Sequence, residues 1–85
     1  MATIDKLIER FKSKPKDFKW GELLRLLSHF EYGLLPTGKT GGSSRKFLNE
    51  RNGRLIMLHE PHPKAILKAY QVTDVYKHLK DEGFL

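Results

Sequence analysis

Arg45-Lys46-Phe47-Leu48-Asn49-Glu50-Arg51-Asn52-Gly53-Arg54-Leu55-Ile56-Met57-Leu58-His59 is the stretch whose reading decides the fold. Asn52-Gly53 is the strongest short hairpin signal, because both central residues of a type I′ turn need positive φ and Asn-Gly supplies it most cheaply. Arg45 to Glu50 then reads as one strand, with Phe47 as its main apolar side chain, and Arg54 to His59 as the returning strand. Leu55, Ile56, Met57 and Leu58 form an almost continuous apolar run, which predicts a central strand covered on both faces. Glu60-Pro61-His62-Pro63 ends it, since proline donates nothing to a ladder.

Upstream, Phe30, Tyr32 and Leu34 alternate with Glu31 and Gly33, predicting a further half-buried strand that reaches to about Leu35. It is joined to the hairpin by Pro36-Thr37-Gly38-Lys39-Thr40-Gly41-Gly42-Ser43-Ser44, a run of turn formers. Two helices precede it. Ile4, Leu7, Ile8 and Phe11 share one face of residues 3–12, with Thr3 as N-cap and Asp5 in the first turn; Pro15 disfavours helical geometry at Lys14. Leu23, Leu24, Leu26 and Leu27 make residues 20–29 a second amphipathic helix, weakened at its start by Gly21. Downstream, Ile66, Leu67 and Tyr70 ask for burial without a clean period. Thr73 is the expected N-cap of a last helix with Asp74 in its first turn, Val75, Leu79 and Tyr76 facing the core, and Gly83 at its end. The order helix, helix, strand, strand, strand, helix makes an α+β fold: a three-stranded antiparallel sheet with helices on one face.

Composition limits what such a fold can do. Eighty-five residues make one small domain with one modest core, too little for a nucleotide-binding half-domain or a deep cleft. The absence of Cys excludes disulfides, thiolate metal sites and thiol catalysis. The N-terminus is charged from its fifth residue and no apolar run is long, so neither signal peptide nor spanning helix is expected and a cytoplasmic location is the default. The net charge of +6 favours polyanions, because neutralised phosphates release counterions. Residues 41–68 set Arg45, Lys46, Arg51, Arg54, Lys64 and Lys68 against Glu50 and Glu60 and so carry four of those six charges.

Few residues offer chemistry. His29 ends a helix and His78 sits on one, both expected as surface or capping groups. His59 and His62 lack a third ligand, so neither a metal nor any other cofactor is expected. His62 stands between two prolines, either as an exposed residue of a rigid strand-ending turn or as a positioned imidazole beside a basic strip, able to bind phosphate or move a proton near neutral pH. Gly33-x-x-x-x-Gly38-Lys39-Thr40 matches the letters of a phosphate loop. Its context does not, because strand and turn precede Gly38 and Gly41-Gly42 deny the following helix. As a Gly-rich connection it is either a flexible loop or a run of backbone N–H groups presented to a phosphodiester.

Three segments together resemble the HicA (YcfA-like) toxin family of bacterial type II toxin–antitoxin systems: the helix Asp17-Phe18-Lys19-Trp20-Gly21-Glu22-Leu23-Leu24-Arg25-Leu26-Leu27; Gly42-Ser43 followed by Lys46-Phe47; and Pro61-His62-Pro63 before a last helix ending in Gly83. The resemblance implies a double-stranded-RNA-binding-like α-β-β-β-α fold over residues 14–85, with residues 1–13 as an N-terminal helical extension. It implies a metal-independent endoribonuclease acting on mRNA and a HicB-like antitoxin partner. RNA would be held by Gly42, Ser43, Arg45, Lys46, Arg54 and Lys64. One departure matters: the family's Gly-Ser-His carries its catalytic His where this chain has Ser44, and a hydroxyl takes no proton near neutral pH without an activating base. Either His62 or His59 takes its place, or the chain binds RNA or an antitoxin without cutting.

Overall fold

The computed structural model describes residues 3–36, 44–61 and 64–85. Its elements in chain order are α1 (Ile4–Lys12), α2 (Trp20–His29), β1 (Tyr32–Leu34), β2 (Ser44–Asn49), β3 (Leu55–His59) and α3 (Ala69–Asp81). This is a small α+β fold with three helices and one antiparallel sheet in the order β1-β2-β3.

Thr3 starts α1 as expected, its hydroxyl accepting from the Lys6 N–H at 3.3 Å. Lys14 ends that turn at φ 54, ahead of Pro15, which disfavours right-handed helical geometry at the residue before it. Leu7 and Phe11 of α1 are buried in the same core as Phe18, Trp20, Leu23, Leu26 and Leu27. Arg10 ties α1 to α2 and to the loop between them, reaching the carboxylates of Glu22 at 2.8 Å and Asp17 at 2.7 Å. Glu22 also accepts from the Lys19 N–H at 3.0 Å, satisfying one of the orphan donors at the start of α2.

Four expectations are corrected. Phe30 belongs to no strand: it caps the C-terminus of α2, packs on Phe84 at 5.2 Å, and hands over to β1 through Glu31 at φ 70. The hairpin exists, but its turn is a four-residue loop, Glu50 to Gly53, in which only Gly53 has positive φ (70°). Asn49 builds that loop. Its buried amide donates to the Phe30 carbonyl at 2.9 Å, and its oxygen accepts from the N–H groups of Arg51 at 2.9 Å and Asn52 at 3.3 Å. Third, among the described strands β2 is central and β3 lies at the edge. Ile56 and Leu58 are buried, whereas Leu55 and Met57 are 52% and 66% exposed on the uncovered face.

The last correction concerns α3, which begins four residues before Thr73, directly after Lys68. Gln71 replaces the expected cap, its side-chain oxygen accepting from the Lys68 N–H at 3.0 Å. Tyr70 is consequently on the exposed side of the first turn rather than buried. Before it, Ile66 and Lys19 form a short bridge, with Trp20 N–H to Ala65 C=O and Leu67 N–H to Phe18 C=O each at 2.8 Å. Val72, Val75 and Leu79 bury the inner face of α3. Gly83, at φ 85, ends it in a Schellman arrangement, with Phe84 N–H to Leu79 C=O at 2.9 Å and Gly83 N–H to Lys80 C=O at 3.1 Å.

Candidate nucleic-acid interface

Alternation along β2 and β3 sorts their side chains. Phe47 and Asn49 on β2, with Ile56 and Leu58 on β3, face the helices and are buried. Ser44, Lys46 and Leu48, with Leu55, Met57 and His59, therefore share the face that no described helix covers. The register pairs Ser44 with His59, Lys46 with Met57 and Leu48 with Leu55. Ser44 and His59, fifteen residues apart in sequence, are thus direct cross-strand neighbours at one end of the open face.

That end is held from behind. Gln71 is 3% exposed and donates from Nε2 to the His59 carbonyl at 2.8 Å, fixing the last residue of β3 to the first turn of α3. Arg45 turns toward Glu60 at 3.2 Å, and its Nη1 donates to the Ser44 carbonyl at 3.0 Å. The guanidinium thereby braces the backbone of Ser44 while Glu60 offsets its charge. Lys46 is exposed in the middle of β2, and Lys64 is exposed in the segment leading to α3.

Arg54 is not part of this end. It lies at the turn end of the hairpin, a strand length of about 17 Å from His59, and pairs with Glu82 at 3.0 Å. Gly42, Ser43 and His62 lie outside the described residues, as do residues 37–41 of the Gly-rich connection. Among the described residues, no group of three or more His, Cys, Asp or Glu is placed to hold a metal. No described helix is long and apolar enough to cross a membrane.

His78 is not the surface or capping group expected of it. Its Nε2 stands 2.9 Å from the Tyr32 hydroxyl, and the rings meet edge to face. Burial, and next to it the negative charge of Glu82, push the Tyr32 phenol above its ordinary pKa and keep it neutral. The pair belongs to the core side of the sheet, away from Ser44. Sequence reading passed over Gln71, although a Gln at the third helical position is a capping signal that points to Lys68 as the helix start. No family model, curated protein or solved structure matches the chain.

Proposed function

We propose that the chain is an RNA-directed domain of the HicA kind, with a double-stranded-RNA-binding-like α-β-β-β-α arrangement over residues 14–85, and that the Ser44–His59 end of its open sheet face takes the RNA. The observation that carries this reading is the β2–β3 register. It sets His59 directly across from Ser44, the position at which the resembled family has its catalytic imidazole. An imidazole is therefore supplied to that end of the sheet from the neighbouring strand.

In this reading Lys46 and Lys64 attract phosphates, and Gly42 and Ser43, as small residues, would admit the RNA backbone closely. Cleavage needs one group to take the proton of the ribose 2′-OH as it attacks the adjacent phosphorus and one to return a proton to the departing 5′ oxygen. His59 and His62 are the two imidazoles of this segment and would share those roles without a metal, leaving a 2′,3′-cyclic phosphate and a free 5′-OH. A HicB-like antitoxin would neutralise the site by covering it.

Incubation of the purified chain with mRNA, followed by end-group analysis, tests this. Cleavage with cyclic phosphate ends, abolished by His59→Ala and reduced at least about a hundredfold by His62→Ala, is expected, since general acid–base groups contribute about that much or more. The absence of both cleavage and a salt-sensitive mobility shift overturns the reading. A second reading rests on Ser44 itself and on the ion pair that offsets the charge of Arg45: a module that binds RNA or an antitoxin and does not cut. Salt-sensitive RNA binding, or a co-purifying inhibitor protein, without cleavage after stripping selects it.

A further inference from the structure

A groove of about 300 Å³ runs between β3 and α3 and reaches the Ser44–His59 end, since His59 is one of its lining residues. Tyr70, Asp74 and His78 line its α3 side. Spaced by four, they share one face of that helix with about 6 Å of rise from each to the next. The hydrogen bond from Gln71 to the His59 carbonyl sets Tyr70 at the His59 end of this row. Among the described residues four large apolar side chains are exposed, and three of them, Tyr70 on the α3 side and Leu55 and Met57 on the β3 side, line this groove. His78 is engaged by the Tyr32 hydroxyl at 2.9 Å, whereas Asp74 is exposed and has no hydrogen-bond or ion-pair partner among the described residues. Among the described residues the groove is lined by no Lys or Arg that would neutralise that carboxylate.

We infer that this groove takes one unpaired base of the bound RNA and selects guanine. The inference rests on RNA being the ligand of the Ser44–His59 end, and it adds a base preference to that reading. Charge sorts the parts of the ligand. Lys46 and Lys64, the cations given to phosphates, stand outside the groove, and Asp74 inside it repels a phosphate. An ionised carboxylate only accepts hydrogen bonds, so it selects a group that presents N–H donors. Guanine presents two side by side, N1–H and the 2-amino group, one for each carboxylate oxygen. Adenine, cytosine and uracil set an acceptor next to their donor on the same edge, and the second carboxylate oxygen repels it. Tyr70 offers an aromatic face on which the base stacks, with Leu55 and Met57 as apolar surface opposite, the combination by which single-stranded RNA is commonly read. A volume at the small end of small-molecule sites holds one base and not a length of duplex.

Fluorescence anisotropy at one low salt concentration tests this, using single-stranded uridine pentamers with guanosine, inosine or adenosine at the centre, 2′-O-methylated so that they are not cut. The guanosine pentamer is expected to bind about tenfold or more tighter than the adenosine one, the discrimination a good bidentate contact gives, with inosine, which lacks the 2-amino group, between them. Asp74→Asn, a near-isosteric change at an exposed position, should keep the circular dichroism spectrum and abolish the guanosine preference. Tyr70→Ala should weaken all three by about fivefold or more, the loss of one stacked base, and keep their order. Equal binding of the three pentamers overturns the inference while RNA binding at the Ser44–His59 end stands. So does a guanosine preference that survives Asp74→Asn, a uniform tightening of all three by Asp74→Asn, as mere relief of phosphate repulsion would give, or a Tyr70→Ala chain that binds as the wild type. Binding of none of the pentamers overturns both.

Discussion

Replacing Gln71 by Leu removes a side chain that joins the end of β3 to the start of α3, at nearly constant volume. Two hydrogen bonds go, Nε2 to the His59 carbonyl at 2.8 Å and the Lys68 N–H to Oε1 at 3.0 Å. Lys68 is exposed and its N–H finds water at small cost, whereas the His59 carbonyl is left under a buried apolar side chain. A stranded acceptor costs about 1–3 kcal/mol and a lost neutral hydrogen bond about 1 kcal/mol, partly offset by the better transfer of Leu. The net loss is expected to be about 2 kcal/mol. With a urea m-value near 1–3 kcal/mol/M for a small protein, the midpoint falls by about 0.7–2 M at unchanged m. Gln71→Glu makes the comparison sharper. It keeps the acceptor for Lys68 but points a carboxylate at a carbonyl in a buried site, so its folded-state pKa is raised. Its stability should be near wild type at low pH, where the introduced carboxyl donates to His59, and fall as pH rises past the ordinary Glu value of about 4.3. A Gln71→Leu loss below about 0.5 kcal/mol, or a Gln71→Glu defect independent of pH, refutes the role given to this side chain.

Phe11→Ala empties a fully buried site packed on Phe18 and Tyr76. Thermal unfolding should show a loss of about 3–5 kcal/mol, and a loss under about 1 kcal/mol would make α1 a dispensable appendage. The Tyr32 phenol has its folded-state pKa raised above 10.0, mainly by burial and then by Glu82. Its contribution is therefore fully present below about pH 10 and is lost as pH rises through the raised value, because the unfolded chain releases the proton first. Urea midpoints at about pH 9 and about pH 11 should fall less steeply in Tyr32→Phe than in the wild type; equal slopes contradict this.

The order of elements was legible because each carries its period openly: Ile4, Leu7, Ile8 and Phe11 for α1, the leucines of α2, and the apolar run after Asn52-Gly53. What misled was local chemistry that resembles a rule without obeying it. Leu55 to Leu58 read as two buried faces, but Leu55 and Met57 stand on an uncovered face at a sheet edge, which no single-chain periodicity distinguishes from a central strand. Thr73-Asp74 looks like a helix start, yet α3 starts earlier because Gln71 satisfies the Lys68 N–H from within the first turn. Asn52-Gly53 promised a two-residue turn, which would have paired Arg51 with Arg54 and set Ser44 opposite Pro61. Asn49 instead closes a four-residue loop by capping Arg51 and Asn52, and that shift brings His59 to Ser44. The candidate residues were therefore visible in the sequence and their meeting was not, because the meeting depends on the hydrogen bonds of one buried amide.

The placement of RNA at the Ser44–His59 end is tested most directly by observing backbone amide resonances while a short single-stranded RNA is titrated at low salt. Concentration-dependent shifts are expected, centred on Ser44, Arg45, Lys46, His59 and Glu60 and reversed by added salt as phosphate contacts require, with the Arg51–Arg54 turn and α1 unmoved. No shift anywhere, or shifts confined to the turn end or to the helical side of the sheet, would contradict that placement.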